Sequence, residues 1–217
     1  MEQHFPDSIF ILACGPSLAE CNVSKLKNCN TMAIKRAYIA FDDWGFEPTY
    51  YANLDMLSQK EKKEEIIAMI RKYQNIKQFF FPYHETVEEF KFDPRVTIVG
   101  NVESNPVRVN LDLQRLYTAN SGLFGVQASV AILGFRKVFL LGCDARYSDS
   151  IKENHFRSDY WDERKHNPPG EYHLPAWKLF FRKYVKGKSL KVFNCARNGA
   201  LQFYEYCDFN KLVERLP

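Results

Sequence analysis

Across 217 residues the chain carries 30 Lys plus Arg against 26 Asp plus Glu, a formal net charge of +4, with 46% hydrophobic and 15% aromatic residues. That balance excludes disordered, collagenous and coiled-coil classes, and the length suits one domain, with or without a lid, that buries a full core. The basic residues are interleaved with acids and carry no zinc-finger or RNP-like pattern, so no nucleic-acid partner is expected.

The N-terminus Met1-Glu2-Gln3-His4-Phe5 has neither a basic n-region nor an apolar h-region, so no secretory leader is expected. Ser8 to Ala13 is a short apolar run that reads as a strand, and Cys14-Gly15-Pro16-Ser17-Leu18 reads as a turn opening a helix. Gly15 permits close backbone approach, Ser17 suits a helix cap, and the free N–H groups of such a helix start attract anions. A tight turn without a ligand explains the same residues. A second strand, Thr31 to Ile34, leads into Lys35-Arg36, and a third, Thr49 onward, ends at Asn53 to Asp55. Ser58 to Tyr73 has the apolar spacing of a surface helix. Two further runs, Gln78 to Phe81 and Arg95 to Gly100, read as strands.

Asn120-Ser121-Gly122 caps a largely apolar helix from Ser121 to Leu133, a second candidate anion site whose plain reading is an N-cap. Lys137 to Gly142 is a continuous apolar run suited to a central parallel strand covered on both faces. It ends in Gly142-Cys143-Asp144, a carboxylate that either caps a helix or accepts from a sugar hydroxyl. Tyr147 to Gly170 is polar and aperiodic. It is longer than the roughly 15 residues of a plain connection, so a lid over residues 147–170 is expected. Its rings, among them Tyr147 and Tyr160, suit stacking on sugars or bases. A helix from Pro175 to Tyr184, a strand Lys191 to Cys195 and a short helix after Asp208 complete the chain.

This alternation specifies an α/β fold with a mostly parallel sheet, in which ligands bind beyond the carboxyl ends of the strands. The strand-end residues Cys14 to Ser17, Lys35, Asn53 to Asp55, Asp144 and Asn198 are therefore the first candidates. Six cysteines lack any CxxC pair; free thiols, a reducing cytoplasmic setting and no structural zinc are expected. No apolar run approaches the roughly 18 residues of a membrane span, although the basic face from Arg182 to Lys191 allows peripheral association with an anionic surface. The many aromatic residues make a homo-oligomer plausible.

In order, Gly15-Pro16-Ser17-Leu18, Asn120-Ser121-Gly122 and the run Ala131 to Asp144 resemble the bacterial sialyltransferases of glycosyltransferase family forty-two. The resemblance implies a Rossmann-like fold, with helices on both faces of the sheet and a lid-like insertion. It implies a cytoplasmic glycosyltransferase of surface-polysaccharide biosynthesis, joining a sugar from a nucleotide-activated donor, CMP-linked in that family, to a glycan acceptor without a metal. It implies His173 as general base, and Tyr147, Tyr160 and Tyr172 beside the leaving phosphate. It also implies donor contacts from Cys14, Gly15, Pro16, Ser17, Lys35, Asn53, Asp55, Asn120, Ser121, Gly122, Gly142, Asp144 and Asn198. Two departures stand out: Cys14 replaces an Asn, and Lys35 or Arg36 stands where an Asn reads cytosine. A cation there suits a diphosphate-linked donor. The chain is also similar to the domain shared by archaeal pterin diphosphokinases and flagellin-glycosylation accessory proteins. That likeness implies either an Mg²⁺-dependent kinase using Asp55 and Asp144 or a nucleotide-binding module without catalysis.

Overall fold

The computed structural model describes residues 3–104, 108–112, 114–148, 151–160, 173–214 and 216. The strands are β1 (Ser8–Leu12), β2 (Thr31–Ile34), β3 (Tyr50–Ala52), β4 (Gln78–Pro82), β5 (Val96–Val99), β6 (Asn101–Ser104), β7 (Arg115–Thr118), β8 (Lys137–Leu141), β9 (Lys191–Asn194) and β10 (Glu205–Tyr206). The α-helices are α1 (Phe41–Trp44), α2 (Met56–Glu61), α3 (Lys63–Lys72), α4 (Ser121–Ala131), α5 (His173–Phe180) and α6 (Phe209–Val213). Eight strands form one parallel sheet in the order β10-β9-β8-β1-β2-β3-β4-β5, and β6 pairs β7 in a separate small sheet. The expected Rossmann-like α/β architecture is therefore present, with every described strand pair parallel.

Both faces of the large sheet are buried over its central strands β8, β1, β2 and β4, which is why these are continuous apolar runs. Side chains alternate along each strand. Ile9, Ile11, Val138 and Leu140 face one core with α4 and α5. Phe10, Leu12, Phe139 and Leu141 face another with α6. Phe10, Phe139 and Phe193 sit in one register row and stack, with centroids 4.8 and 4.9 Å apart. A third core lies under β2 to β4, where Tyr51, Phe79 and Phe81 pack on α3. Helix α4 is buried along nearly its whole length. Gly125 lets it approach β2, since a Cβ there would stand 2.6 Å from Ile34 Cδ1.

Several sequence expectations change. The turn after β1 does not open an α-helix; Pro16–Glu20 is a single 3₁₀ segment whose first residue has no side-chain cap. The helix expected from Ser58 to Tyr73 is two helices, parted at Lys62 (φ −111°, ψ 26°). The helix expected to run to Tyr184 passes into a π-turn over Phe181–Val185. The small β6–β7 sheet and β10 were not expected. The described part of the 147–170 stretch is docked on the body: Ser148 and Asn154 exchange hydrogen bonds, Phe156 N–H donates to Cys14 O at 3.2 Å, and Arg157 reaches Asp43. All six cysteines are free thiols. Arg182, Lys183, Lys186, Lys188 and Lys191 are exposed, and no helix among the described residues is long and apolar enough to cross a membrane.

Candidate active site

Chain order reverses at the centre of the sheet. From β1 the strands proceed through β2 to β5 in one direction, and from β8 through β9 to β10 in the other. The seam between β1 and β8 is thus the topological switch point, where the loops after the two strands part and leave a crevice.

The two loops are tied together at its floor. Gly142 adopts φ 66° and its carbonyl accepts from Gly15 N–H at 2.8 Å. A Cβ on Gly15 would meet the Asp144 carboxylate and lie 2.6 Å from Gly142 O, so only glycine fits. Ser17 does not cap a helix or offer its N–H to a ligand. Its N–H and hydroxyl both donate to Asp144 Oδ2, at 3.3 and 2.9 Å. A wide anion-binding helix start is absent here because the chain uses these donors to hold a carboxylate. Burial raises the Asp144 carboxyl above its ordinary 3.8, while Ser17 opposes that rise. The loop after β9 presses on the same residue: Ala200 N–H donates to Asp144 O at 2.6 Å.

Cys14 turns its thiol to Ile34 O at 3.0 Å and links the ends of β1 and β2. Burial pushes this thiol to about 11, so it stays protonated. Tyr160 is 1% exposed and stacks beneath His155 with centroids 4.0 Å apart. Its phenol is raised well above 10 by burial and interacts with Cys14. Tyr160 therefore supports the crevice wall from behind, whereas Tyr147 is 44% exposed at the mouth.

Lys35 follows β2 in a left-handed backbone conformation, φ 52°, and its ammonium pairs with Asp55 at 2.7 Å. Tyr51 hydroxyl donates to Lys35 O at 2.7 Å and helps hold the turn. Asp55 also caps α2 by accepting from Ser58 N–H. Asn53 does not face the crevice. It is 1% exposed, its side-chain oxygen accepts from Asp55 N–H and its carbonyl accepts from Gln59, so it shapes the Asp55 turn. Asn120 caps α4 by accepting from Leu123 N–H at 2.9 Å, and Ser121 Oγ accepts from Leu54 N–H at 3.3 Å. His173 begins α5 with its pKa lowered from 6.5, first by burial and then by the Lys35 charge. It is the neutral base at neutral pH, and a proton-accepting nitrogen suits general-base work.

Three adjoining hollows result. The central one, about 140 Å³, is lined by Cys14, Gly15, Lys35, Asn120, Ser121, Gly122, Gly142, Asp144, Tyr147, Tyr160 and His173 among others, and so gathers most of the residues expected from sequence. A second, about 550 Å³ and mainly polar, shares Asp144 and Tyr147 and adds Pro16, Ser17, Arg197 and Asn198. A third, about 340 Å³, shares Ser121 and His173 and contains Asp55. Tyr172 lies outside the described residues. Sequence reasoning missed Arg146, which lines the first two hollows directly after the Gly142–Asp144 strand end, and Trp177, one helical turn past His173. Asp55 and Asp144, the pair required by the diphosphokinase alternative, line different, adjoining hollows. Among the described residues no three His, Cys, Asp or Glu side chains are grouped so as to hold a metal ion.

No protein-family model and no curated protein matches the chain. Solved structures do. The sialyltransferase CstII from Campylobacter jejuni, in complex with cytidine-5'-monophosphate, superposes with a TM-score of 0.57 at 15% identity, covering 94% of this chain and 86% of CstII. CstII in complex with a trisaccharide acceptor and CMP gives 0.52 at 13% identity, over 94% and 87%. The MAf glycosyltransferase from Magnetospirillum magneticum AMB-1 gives 0.62 at 12% identity, covering all of this chain but 35% of that one. At such identities the likeness is one of fold.

Proposed function

We propose that this chain is a glycosyltransferase that moves a sugar from a nucleotide-activated donor, CMP-linked, to a hydroxyl of a glycan acceptor. The observation that carries this reading is His173: a half-buried histidine with a lowered pKa, on the wall shared by two hollows, beside Lys35 and the Ser121 helix start. The fold shared with CstII, a CMP-binding sialyltransferase, supports CMP as the nucleotide.

His173 takes the proton of the acceptor hydroxyl, the oxygen attacks the anomeric carbon, and the bond to the donor phosphate breaks with its electron pair leaving on the phosphate. The Lys35 ammonium, the Tyr147 hydroxyl and the N–H groups at the start of α4 stabilise that charge. Asp144 and Asn198 orient sugar and ribose hydroxyls from the polar hollow. The docked segment 151–160 narrows access of water, which otherwise consumes the donor.

The test measures transfer from CMP-linked sialic acid to a panel of glycans. His173→Ala is expected to lose about 10²–10⁴-fold in kcat/KM while CMP affinity stays within a few-fold. Parent-rate transfer by His173→Ala, or an absolute requirement for Mg²⁺ abolished by EDTA, overturns the reading.

A further inference from the structure

The hollow on the far side of His173 differs in chemistry from the polar hollow across the crevice. Its wall is made by Leu54, Met56, Leu57, Pro82, Val102 and Ala119. Met56 and Leu57 stand 51% and 55% exposed at the start of α2, and both line this hollow. Val102 of β6 and Ala119, just beyond β7, come from the small sheet, so that sheet builds this wall.

Polar groups there are few. Asp55 is engaged by Lys35 at 2.7 Å, and Ser121 Oγ already accepts from Leu54 N–H. Thr118 is fully buried, and its hydroxyl has no hydrogen-bond partner among the described residues. The polar hollow across the crevice carries Arg146 and Arg197 together with Glu20, Asp144, Glu153 and Asn198, and so offers a nucleotide counter-charges and hydroxyl partners that the apolar hollow lacks. Among the described residues that line the apolar hollow there is no Lys or Arg for an anionic donor to meet; Lys35 reaches it only through its pair with Asp55. A saccharide bristling with hydroxyls would lose hydrogen bonds to water there without replacing them.

We infer that the apolar hollow is the acceptor subsite and that the acceptor presents its reacting hydroxyl next to an apolar group, such as an alkyl or aryl aglycone. The inference rests on the glycosyltransferase reading. The hydroxyl lies towards His173, with Thr118 as a further polar contact, and the apolar group lies against Leu57 and Met56.

The experiment compares methyl and octyl β-galactosides, below micellar concentration, as acceptors and by calorimetric binding. Each buried methylene contributes about fourfold in affinity, so the octyl compound is expected to show KM and Kd at least tenfold lower. Leu57→Asp, whose fold is checked by its melting temperature, is expected to bring the methyl-to-octyl ratio towards one. Equal values for the two glycosides in the parent protein overturn the inference. So does an octyl preference that survives Leu57→Asp, which would put the apolar contact elsewhere. Should neither glycoside accept sugar, the transferase reading fails, and calorimetry still decides the subsite: octyl-selective binding lost in Leu57→Asp supports it, and its absence overturns it.

Discussion

Lys35 is held in a conformation that costs a non-glycine residue roughly 1–2 kcal/mol, and the Asp55 ion pair and the Tyr51 hydrogen bond offset that cost. Its charge then acts on His173, whose pKa is lowered by burial first and by Lys35 second. A base with a lowered pKa works down to a lower pH. The acid limb of kcat/KM is therefore expected below 6.5, and Lys35→Met is expected to move that limb towards higher pH without restoring it fully, because burial remains. A pH–rate profile checks the position of the limb, whatever the height of the plateau; an unmoved limb dissociates the two residues. Asp144 has the opposite sign. Its carboxyl is raised above 3.8 by burial, so the folded state binds the proton more tightly than the unfolded chain. Its contribution to stability is present in acid and is lost as pH rises through the folded value. Asp144→Asn, neutral throughout, is expected to gain on the parent protein between about pH 4 and about pH 7. Thermal melts at the two pH values measure this, and a relative loss on raising the pH refutes it.

At the scale of elements, the seam between β1 and β8 depends on a turn that tolerates no side chain. Gly142 has φ 66°, and a Cβ there would stand 2.9 Å from Ala13 O and 3.0 Å from Leu18 Cβ. Both the left-handed backbone and the contact with fixed main chain oppose substitution, so Gly142→Ala is expected to cost about 2 kcal/mol, read as a fall of roughly 4–8 °C in Tm. A variant melting with the parent protein removes this account of the turn. The same seam explains what could be read in advance. Runs such as Lys137–Leu141 are apolar on both faces because helices cover both faces, so the pattern announces the strand. The β6–β7 pair gave no such signal: Glu103, Arg115 and Tyr117 interrupt it, and its pairing is decided by contacts far along the chain. The 3₁₀ geometry after Gly15 was equally hidden, since Pro16 suits the first turn of either helix type and only the Asp144 carboxylate, 127 residues away, claims Ser17. Residues that line the crevice were legible where they follow strands, as Lys35, Asp144 and Asn198 do. Asn53 follows a strand yet is buried, its side-chain and backbone oxygens accepting from Asp55 N–H and Gln59.

For the whole molecule, one parallel sheet with its reversal at β1 and β8 places the loops after β1, β2, β3, β8 and β9 around one crevice, and the hollow beyond β8 and β9 is the polar one. A ligand that bridges loops from both halves of the sheet binds only the folded chain, so its binding energy adds to global stability. CMP at about a hundred times its Kd adds about 2.7 kcal/mol, which for a chain of this size corresponds to a rise of roughly 5–10 °C in Tm. UDP, GDP and ATP at the same concentration are expected to raise it less, and EDTA is expected to leave the CMP effect intact, because Lys35, Arg146 and the α4 amide groups supply the positive potential. A thermal-shift series with and without Mg²⁺ reads all of these outcomes together. Selective stabilisation by ATP with Mg²⁺ would instead favour diphosphate transfer. Preference for UDP or GDP would mean that Lys35 serves a diphosphate-linked donor.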